Sequence, residues 1–148
     1  MACSNHRVLA LPSLNWLSGI TIPSKYFRLF VAADVTSEPV NTISEFALAA
    51  LNQGMTYFCA WGPDCERFHD IVDEVLVEDD LGKRLFIGPN ANDHIMTAWH
   101  PKDTLDEAID LFLELSRPTA GYVAQSEYWV AVSVNRLDWD KILKLRLK

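Results

Sequence analysis

The pattern that most limits the fold is an alternation of short apolar runs with amphipathic segments of helical length. The apolar runs are rich in aromatic and β-branched residues and lie at 25–34, 55–61, 94–99 and 128–134. The segments that separate them carry apolar residues at the three- and four-residue spacing of a helix. We therefore expect a three-layer α/β/α sandwich with a mostly parallel sheet of four to five strands, in a Rossmann-like or flavodoxin-like topology.

Two of the helical segments begin with the pattern of a capping box. Thr42 with Glu45 and Thr104 with Glu107 each place a hydroxyl at a helix start and a carboxylate three residues later. Gly54 follows the first of these segments and predicts a left-handed C-cap.

The rest of the chain contributes smaller elements. The 148 residues suit one domain spanning 1–148. We expect residues 1–24 to form a tail or an edge element and residues 136–148 to form a terminal amphipathic helix. Residues 83–88 form a further short strand in this interpretation, and the pattern leaves open whether that strand joins the sheet.

Charge and composition favour an acidic protein of the cytoplasm. The net charge is −7, and residues 63–80 carry eight acids against one base. Without a basic cluster we expect no nucleic-acid binding, and without an apolar run of about 18 residues we expect no membrane span. An acidic run is most often a solvated helix face, but this one could also bind a basic protein partner through the second helix.

Chemistry-bearing residues follow the predicted strands directly. Asp34 ends the first strand, Trp61 and Asp64 follow the second, and Trp99 and His100 follow the third. A strand order of 2-1-3-4 would bring Asp34 and His100 together at the topological switch point, where such folds bind ligands. We predict a ligand site from these five residues, although the two indoles could equally plug the end of the sheet as core residues.

A catalytic interpretation centres on Cys65. Its position in the first turn of a helix favours a thiolate, His69 lies on the same helical face, and His100 could approach from the next loop. An Asp34–His100 pair is the other candidate. The two carboxylates that flank Cys65 would raise the pKa of the thiol, and a small buried thiol is the commoner outcome.

Metal and cofactor sites find little support. Cys65 and His69 could share a metal at their four-residue spacing, but nothing in the sequence demands the further ligand that such a site needs. The three cysteines show no zinc spacing, and neither a dinucleotide fingerprint nor a phosphate-binding glycine loop is present. We expect no metal and no cofactor.

Two motifs together resemble a family of small, uncharacterised bacterial α/β domains. The first motif comprises Cys59, Trp61 to Arg67, His69 and Asp70, and the second comprises Met96, Thr97, Trp99, His100 and Leu105 to Ala108. The resemblance covers residues 26–134. It implies a bacterial, cytosolic, single-domain protein and supplies no activity and no catalytic residues.

The functional expectation is a non-enzymatic domain that binds a protein partner or a small ligand at the strand ends and the acidic second helix. The alternative is a hydrolase or transferase that uses Cys65 or the Asp34–His100 pair. A third interpretation is a homodimer through the apolar side chains of the C-terminal segment, which are Trp139, Ile142, Leu143 and Leu145.

Overall fold

A parallel sheet forms the centre of the protein. The computed structural model describes residues 6–15, 21–78, 95–116 and 127–147. Within these ranges the sheet has five strands, in the spatial order β1-β5-β2-β3-β4. The strands are His6–Leu11 (β1), Phe27–Ala32 (β2), Met55–Trp61 (β3), Met96–Trp99 (β4) and Trp129–Val134 (β5), and the helices are Val40–Gln53 (α1), Cys65–Glu78 (α2), Leu105–Leu115 (α3) and Leu137–Arg146 (α4).

The helices cover both faces of the sheet. Neighbouring side chains of β2 point in opposite directions, so Leu29 packs in a core with α1 and α2, whereas Phe30 packs in a second core with α3 and α4. All strand pairs are parallel. The predicted α/β/α sandwich is therefore confirmed. None of the described helices is long and apolar enough to span a membrane.

The assumed strand order was wrong. It placed the strand that ends at Trp99 beside the strand that ends near Asp34, but β3 lies between them and β5 occupies the other side of β2. The reason is that α1 and α2 lie on one face and carry the chain in one direction along the sheet, and the chain then returns with α3 on the other face. The switch point therefore lies between β2 and β5.

One of the two predicted capping boxes forms. The Thr104 hydroxyl accepts a hydrogen bond from the Glu107 backbone, and the Glu107 carboxylate accepts one from the Thr104 backbone. The capping box at Thr42 was wrong, because α1 begins two residues earlier, at Val40, and has no side-chain cap. The backbone N–H of Ile43 already donates to the Pro39 carbonyl oxygen, so the chain is helical before it reaches Thr42.

Both chain ends contribute to the layers. The N-terminal segment, expected to be a tail or an edge element, supplies the strand β1, which pairs in parallel with β5. The C-terminal segment forms α4, whose Trp139 and Leu143 are buried in the core beneath α3 and α4. The expected strand at residues 83–88 lies outside the described residues.

Candidate functional site

A cavity of about 510 Å³ opens at the carboxyl ends of β3 and β4. The start of α2 and the first turn of α4 complete it. The residues that line it are Trp61, Gly62, Pro63, Asp64, Cys65, Glu66, His100, Pro101, Asp103 and Trp139. Three of the predicted ligand-binding residues, Trp61, Asp64 and His100, are among them.

The turn between β3 and α2 shapes one side of the cavity. Gly62 has φ 123°, and a Cβ atom there would lie 2.2 Å from the carbonyl oxygen of Ala33. The Cys65 N–H closes the turn by donating to the Gly62 carbonyl oxygen at 3.1 Å. Asp64 also has a positive φ, 64°, which is uncommon for a residue other than glycine. Pro63 consequently lies in this turn, before α2 begins at Cys65.

Arg67 fixes the neighbouring loop that follows β2. Its guanidinium donates to the carbonyl oxygens of Val35 at 2.9 Å and Glu38 at 2.7 Å. It also lies 3.6 Å from the Asp64 carboxylate. These contacts join the β2–α1 loop to the start of α2, so the two loops beside the cavity are held as one unit.

Two indoles meet on the opposite side of the cavity. The Trp61 indole N–H donates to the Asp103 carbonyl oxygen at 2.9 Å, and the Trp139 ring packs edge-on at 5.1 Å between centroids. The Arg136 guanidinium lies 4.0 Å from the centroid of Trp139. Sequence reasoning missed Trp139 as a lining residue, because it is some eighty positions away in the chain and only the packing of α4 brings it here.

His100 is oriented by a carboxylate three residues later. The distance from its Nδ1 to the Asp103 Oδ2 is 3.0 Å, and its backbone N–H donates to the Ala60 carbonyl oxygen. A carboxylate accepts hydrogen bonds, so this geometry directs a ring N–H at Nδ1 toward Asp103. The predicted site set omitted Asp103, although its position three residues after His100 was a usable signal.

Cys65 lies in the cavity as a buried thiol. Burial raises the pKa of the Cys65 thiol above its usual value, while backbone hydrogen bonds near His100, Cys65 and Gly62 lower the pKa in part. The thiol is therefore protonated at neutral pH, and a protonated thiol is a weak nucleophile.

Trp99 and His69 lie on the α2 face of the sheet, away from Trp61. Trp99 pairs in register with Ala60, one residue before Trp61, so the two indoles point to opposite faces. The His69 ring packs against the Trp99 ring at a tilt of 36°, with 4.2 Å between the centroids, and its Nε2 lies 2.8 Å from the Thr97 hydroxyl. That hydroxyl donates to the Asp73 carboxylate at 3.0 Å.

Asp34 lies at the switch point and does not line the cavity. The backbone N–H and the hydroxyl of Thr36 donate to its carboxylate at 3.0 and 2.6 Å. These bonds, with a smaller contribution from Arg136, lower the pKa of Asp34. Since β3 separates the strands that carry Asp34 and His100, the structure does not bring this pair together.

A second groove lies on the outer side of α2. It has a volume of about 520 Å³ and is lined by Asp70, Asp73, Glu74 and Val77. Within the described ranges no group of three His, Cys, Asp or Glu side chains is arranged to hold a metal ion.

Comparison with known proteins identifies a family. No curated protein and no solved structure matches the chain. A family model matches residues 9–144, which extends beyond the 26–134 of the sequence resemblance and includes the second half of β1 and most of α4. The chain therefore belongs to the family described as Domain of unknown function (DUF7684).

Proposed function

We propose that this protein is a non-enzymatic binding domain whose strand-end cavity binds a small organic cation, such as an alkylated guanidinium or a protonated amine. The observation that carries the proposal is the composition of the cavity lining. It combines the carboxylates of Asp64, Glu66 and Asp103 with the indoles of Trp61 and Trp139, and among the described residues no Lys or Arg belongs to the lining.

Charge and aromatic surface favour the same ligand. The three carboxylates outnumber the one guanidinium that pairs with them, Arg67 at Asp64, so the concave site attracts a cation and repels an anion. Indole faces attract cations through the ring quadrupole, and Pro63 and Pro101 add apolar surface for a hydrocarbon stem. Within the chain itself, the Arg136 guanidinium already lies against Trp139, which supports the affinity of this indole for such a group.

The enzymatic alternative has weaker support. A hydrolase or transferase that uses Cys65 needs a thiolate, whereas burial keeps this thiol protonated. The other candidate pair, Asp34 with His100, is divided by β3, and Asp34 is bound by Thr36. His100 with Asp103 remains as an oriented imidazole, but no activated nucleophile lies beside it among the cavity residues.

A titration with matched small molecules tests the proposal. Propylguanidine, neutral propylurea and anionic propionate have similar stems, so their comparison isolates the charge. We expect propylguanidine to shift the indole N–H resonances of Trp61 and Trp139 with an affinity that weakens as salt is added. Equal binding of propylurea, or preferred binding of propionate, would reject the proposal.

Substitutions of the carboxylates locate the binding site. Asp103→Asn and Glu66→Gln should each weaken propylguanidine binding roughly five- to twentyfold, because each removes a charge-assisted contact. Glu114→Gln is the matched control, since Glu114 is exposed on α3 and belongs to neither cavity nor groove. If the control weakens binding as much as the cavity variants do, the cation is attracted only by the overall charge.

A second candidate function is binding of a basic protein partner by the acidic face of α2. The groove lined by Asp70, Asp73 and Glu74, with Val77 54% exposed beside it, favours this candidate. An oligolysine peptide should bind in low salt, and the pair Asp70→Asn with Glu74→Gln should abolish that binding. Binding that is unchanged in the double variant would remove the candidate.

Fewer apolar side chains of the C-terminal segment are exposed for a homodimer interface than the sequence pattern implied. Trp139 and Leu143 are buried within their own chain, so the apolar side chains left exposed on α4 are Leu137 and Leu145. Light scattering of Leu137→Asp against the unchanged protein tests this interface.

The buried, unpaired Cys59 and Cys65 fit a reducing compartment, which supports a location in the bacterial cytoplasm.

A further inference from the structure

Two buried polar atoms on the α4 side of the sheet are without a hydrogen-bond partner among the described residues. Ser133 is 1% exposed and Asp140 is 6% exposed. Neither the Ser133 Oγ nor the Asp140 Oδ1 has a hydrogen-bond partner in the part of the chain that the structure describes. Buried polar atoms of this kind are nearly always satisfied, by the protein or by ordered water.

The strand register places small side chains around Ser133. It pairs with Ala10 of β1 on one side and with Ala32 of β2 on the other. Paired residues in a sheet direct their side chains to the same face, so this row lies on the side covered by α4. Two methyl groups leave more room beside the Ser133 hydroxyl than larger core residues would.

The buried face of α4 directs Asp140 toward the same row. Trp139 and Asp140 lie on the two flanks of the fully buried Leu143. Trp139 packs against Trp61 of β3, so Asp140 lies on the opposite flank, above β5 and β1, with which α4 is in contact. Asp140 and Ser133 are thus both within the short stretch where β5 ends and α4 begins.

The hydrogen-bonding capacities of the two groups are complementary to water. The other carboxylate oxygen of Asp140 binds the Lys144 ammonium at 2.9 Å, which leaves Oδ1 as an acceptor that needs a donor. The Ser133 hydroxyl can donate or accept. We infer that one ordered water molecule bridges Asp140 Oδ1 and Ser133 Oγ beneath the first turn of α4. The water donates one hydrogen bond to the carboxylate, and it forms a second hydrogen bond with the Ser133 hydroxyl, which acts as donor or acceptor.

The bridge gives Asp140 a positioning role. It joins the first turn of α4 to β5, and that turn carries Trp139, which lines the strand-end cavity. A metal ion is a poor alternative occupant, because two oxygen atoms are fewer ligands than such ions require. The inference is independent of the ligand proposed for the cavity.

A crystal structure of the full chain that resolves ordered waters tests the bridge directly. We expect a water peak within hydrogen-bond distance of both Asp140 Oδ1 and Ser133 Oγ. A direct hydrogen bond between the two side chains, a cation at this position, or no density between them would each overturn the inference.

A double-mutant cycle supplies an independent test in solution. Ser133→Ala and Asp140→Ala should each raise the unfolding equilibrium constant about three- to tenfold, and the double variant should fall clearly short of the product of the two effects. Lys144→Gln is the control that measures the loss of the surface ion pair alone. Multiplicative effects of Ser133→Ala and Asp140→Ala would show that the groups are not coupled and would overturn the bridge.

Discussion

The backbone of Gly62 lies so close to the backbone of Ala33 that the turn after β3 has no room for a side chain. A Cβ atom at Gly62 would meet the Ala33 carbonyl oxygen at 2.2 Å, and the φ of 123° is itself costly for any other residue. We predict that Gly62→Ala destabilises the protein by roughly 2–4 kcal/mol, from backbone strain and overlap together. Urea unfolding of the variant and of the unchanged protein measures the difference in the free energy of unfolding. A difference below about 0.5 kcal/mol would contradict the described turn.

The thiol of Cys65 leads to a prediction about pH. Burial raises its pKa in the folded protein above the value of the unfolded chain, so the folded state holds the proton more tightly. The thiol therefore contributes stability below about pH 8.5, and this contribution is lost as the pH rises further toward the folded pKa. Burial raises the pKa of Cys59 in the same direction.

Two measurements check this expectation. The free energy of unfolding should fall as the pH rises above about 8.5, and it should fall less in Cys65→Ala. Alkylation of Cys65 at neutral pH should be at least about tenfold slower than that of a cysteine peptide. Rapid alkylation in the folded state would instead return Cys65 to the list of candidate nucleophiles.

At the scale of the helix, Thr104 and Thr42 form a natural comparison. Both precede a glutamate by three residues, but only Thr104 caps a helix. We predict that Thr104→Ala costs about 1 kcal/mol of stability, whereas Thr42→Ala costs nothing or stabilises slightly, because alanine has the higher helix propensity. Thermal unfolding of the two variants under one condition provides the measurement, and equal losses would contradict the difference in helix starts.

The same pair shows how far a local pattern can be interpreted. A capping box is defined by four consecutive residues, so the sequence can propose it without knowledge of the fold. Whether it forms depends on where the preceding chain enters the helix. Pro39 is the N-cap residue of α1, so the helix begins at Val40, before Thr42. Gly54 ends α1 in the left-handed conformation that its sequence position predicts.

At the scale of the whole molecule, α4 belongs to the core. Trp139 and Leu143 are buried, and Trp139 packs against Trp61. We predict that a chain ending at Asn135 loses cooperative thermal unfolding, because removing two large core side chains costs on the order of 5 kcal/mol or more. Circular dichroism during heating measures the transition.

An exposed position of α4 supplies the control for this truncation. Leu145 is 70% exposed, so Leu145→Ser should leave the transition within a few degrees of its original midpoint. A stable, cooperatively folded chain without α4 would contradict the assignment of this helix to the core. It would also restore the apolar tail as a surface available to a second copy.

The layered parallel architecture could be predicted from the sequence because its signals are local. Apolar strands of six or seven residues and helices with one apolar stripe are recognisable in any short window, and strands buried on both faces require helices on both sides. The sequence also predicts that Trp61, Asp64 and His100 lie at one edge of the sheet. Each follows the carboxyl end of a strand, and the carboxyl ends of parallel strands lie at the same edge.

Strand order and side-chain face were decided only by the tertiary structure. The position of β5 beside β2 depends on packing between segments a hundred residues apart. As a result the switch point lies between β2 and β5, and not beside His100 as the strand order 2-1-3-4 would require. A register difference of one residue directs Trp99 to the α2 face and Trp61 to the cavity, and the docking of α4 brings Trp139 to the cavity. The sequence by itself determined which elements form, because hydrophobic period and turn chemistry are local properties. Which side chains share a cavity is set by the free energy of long-range packing, so only the folded structure decided it.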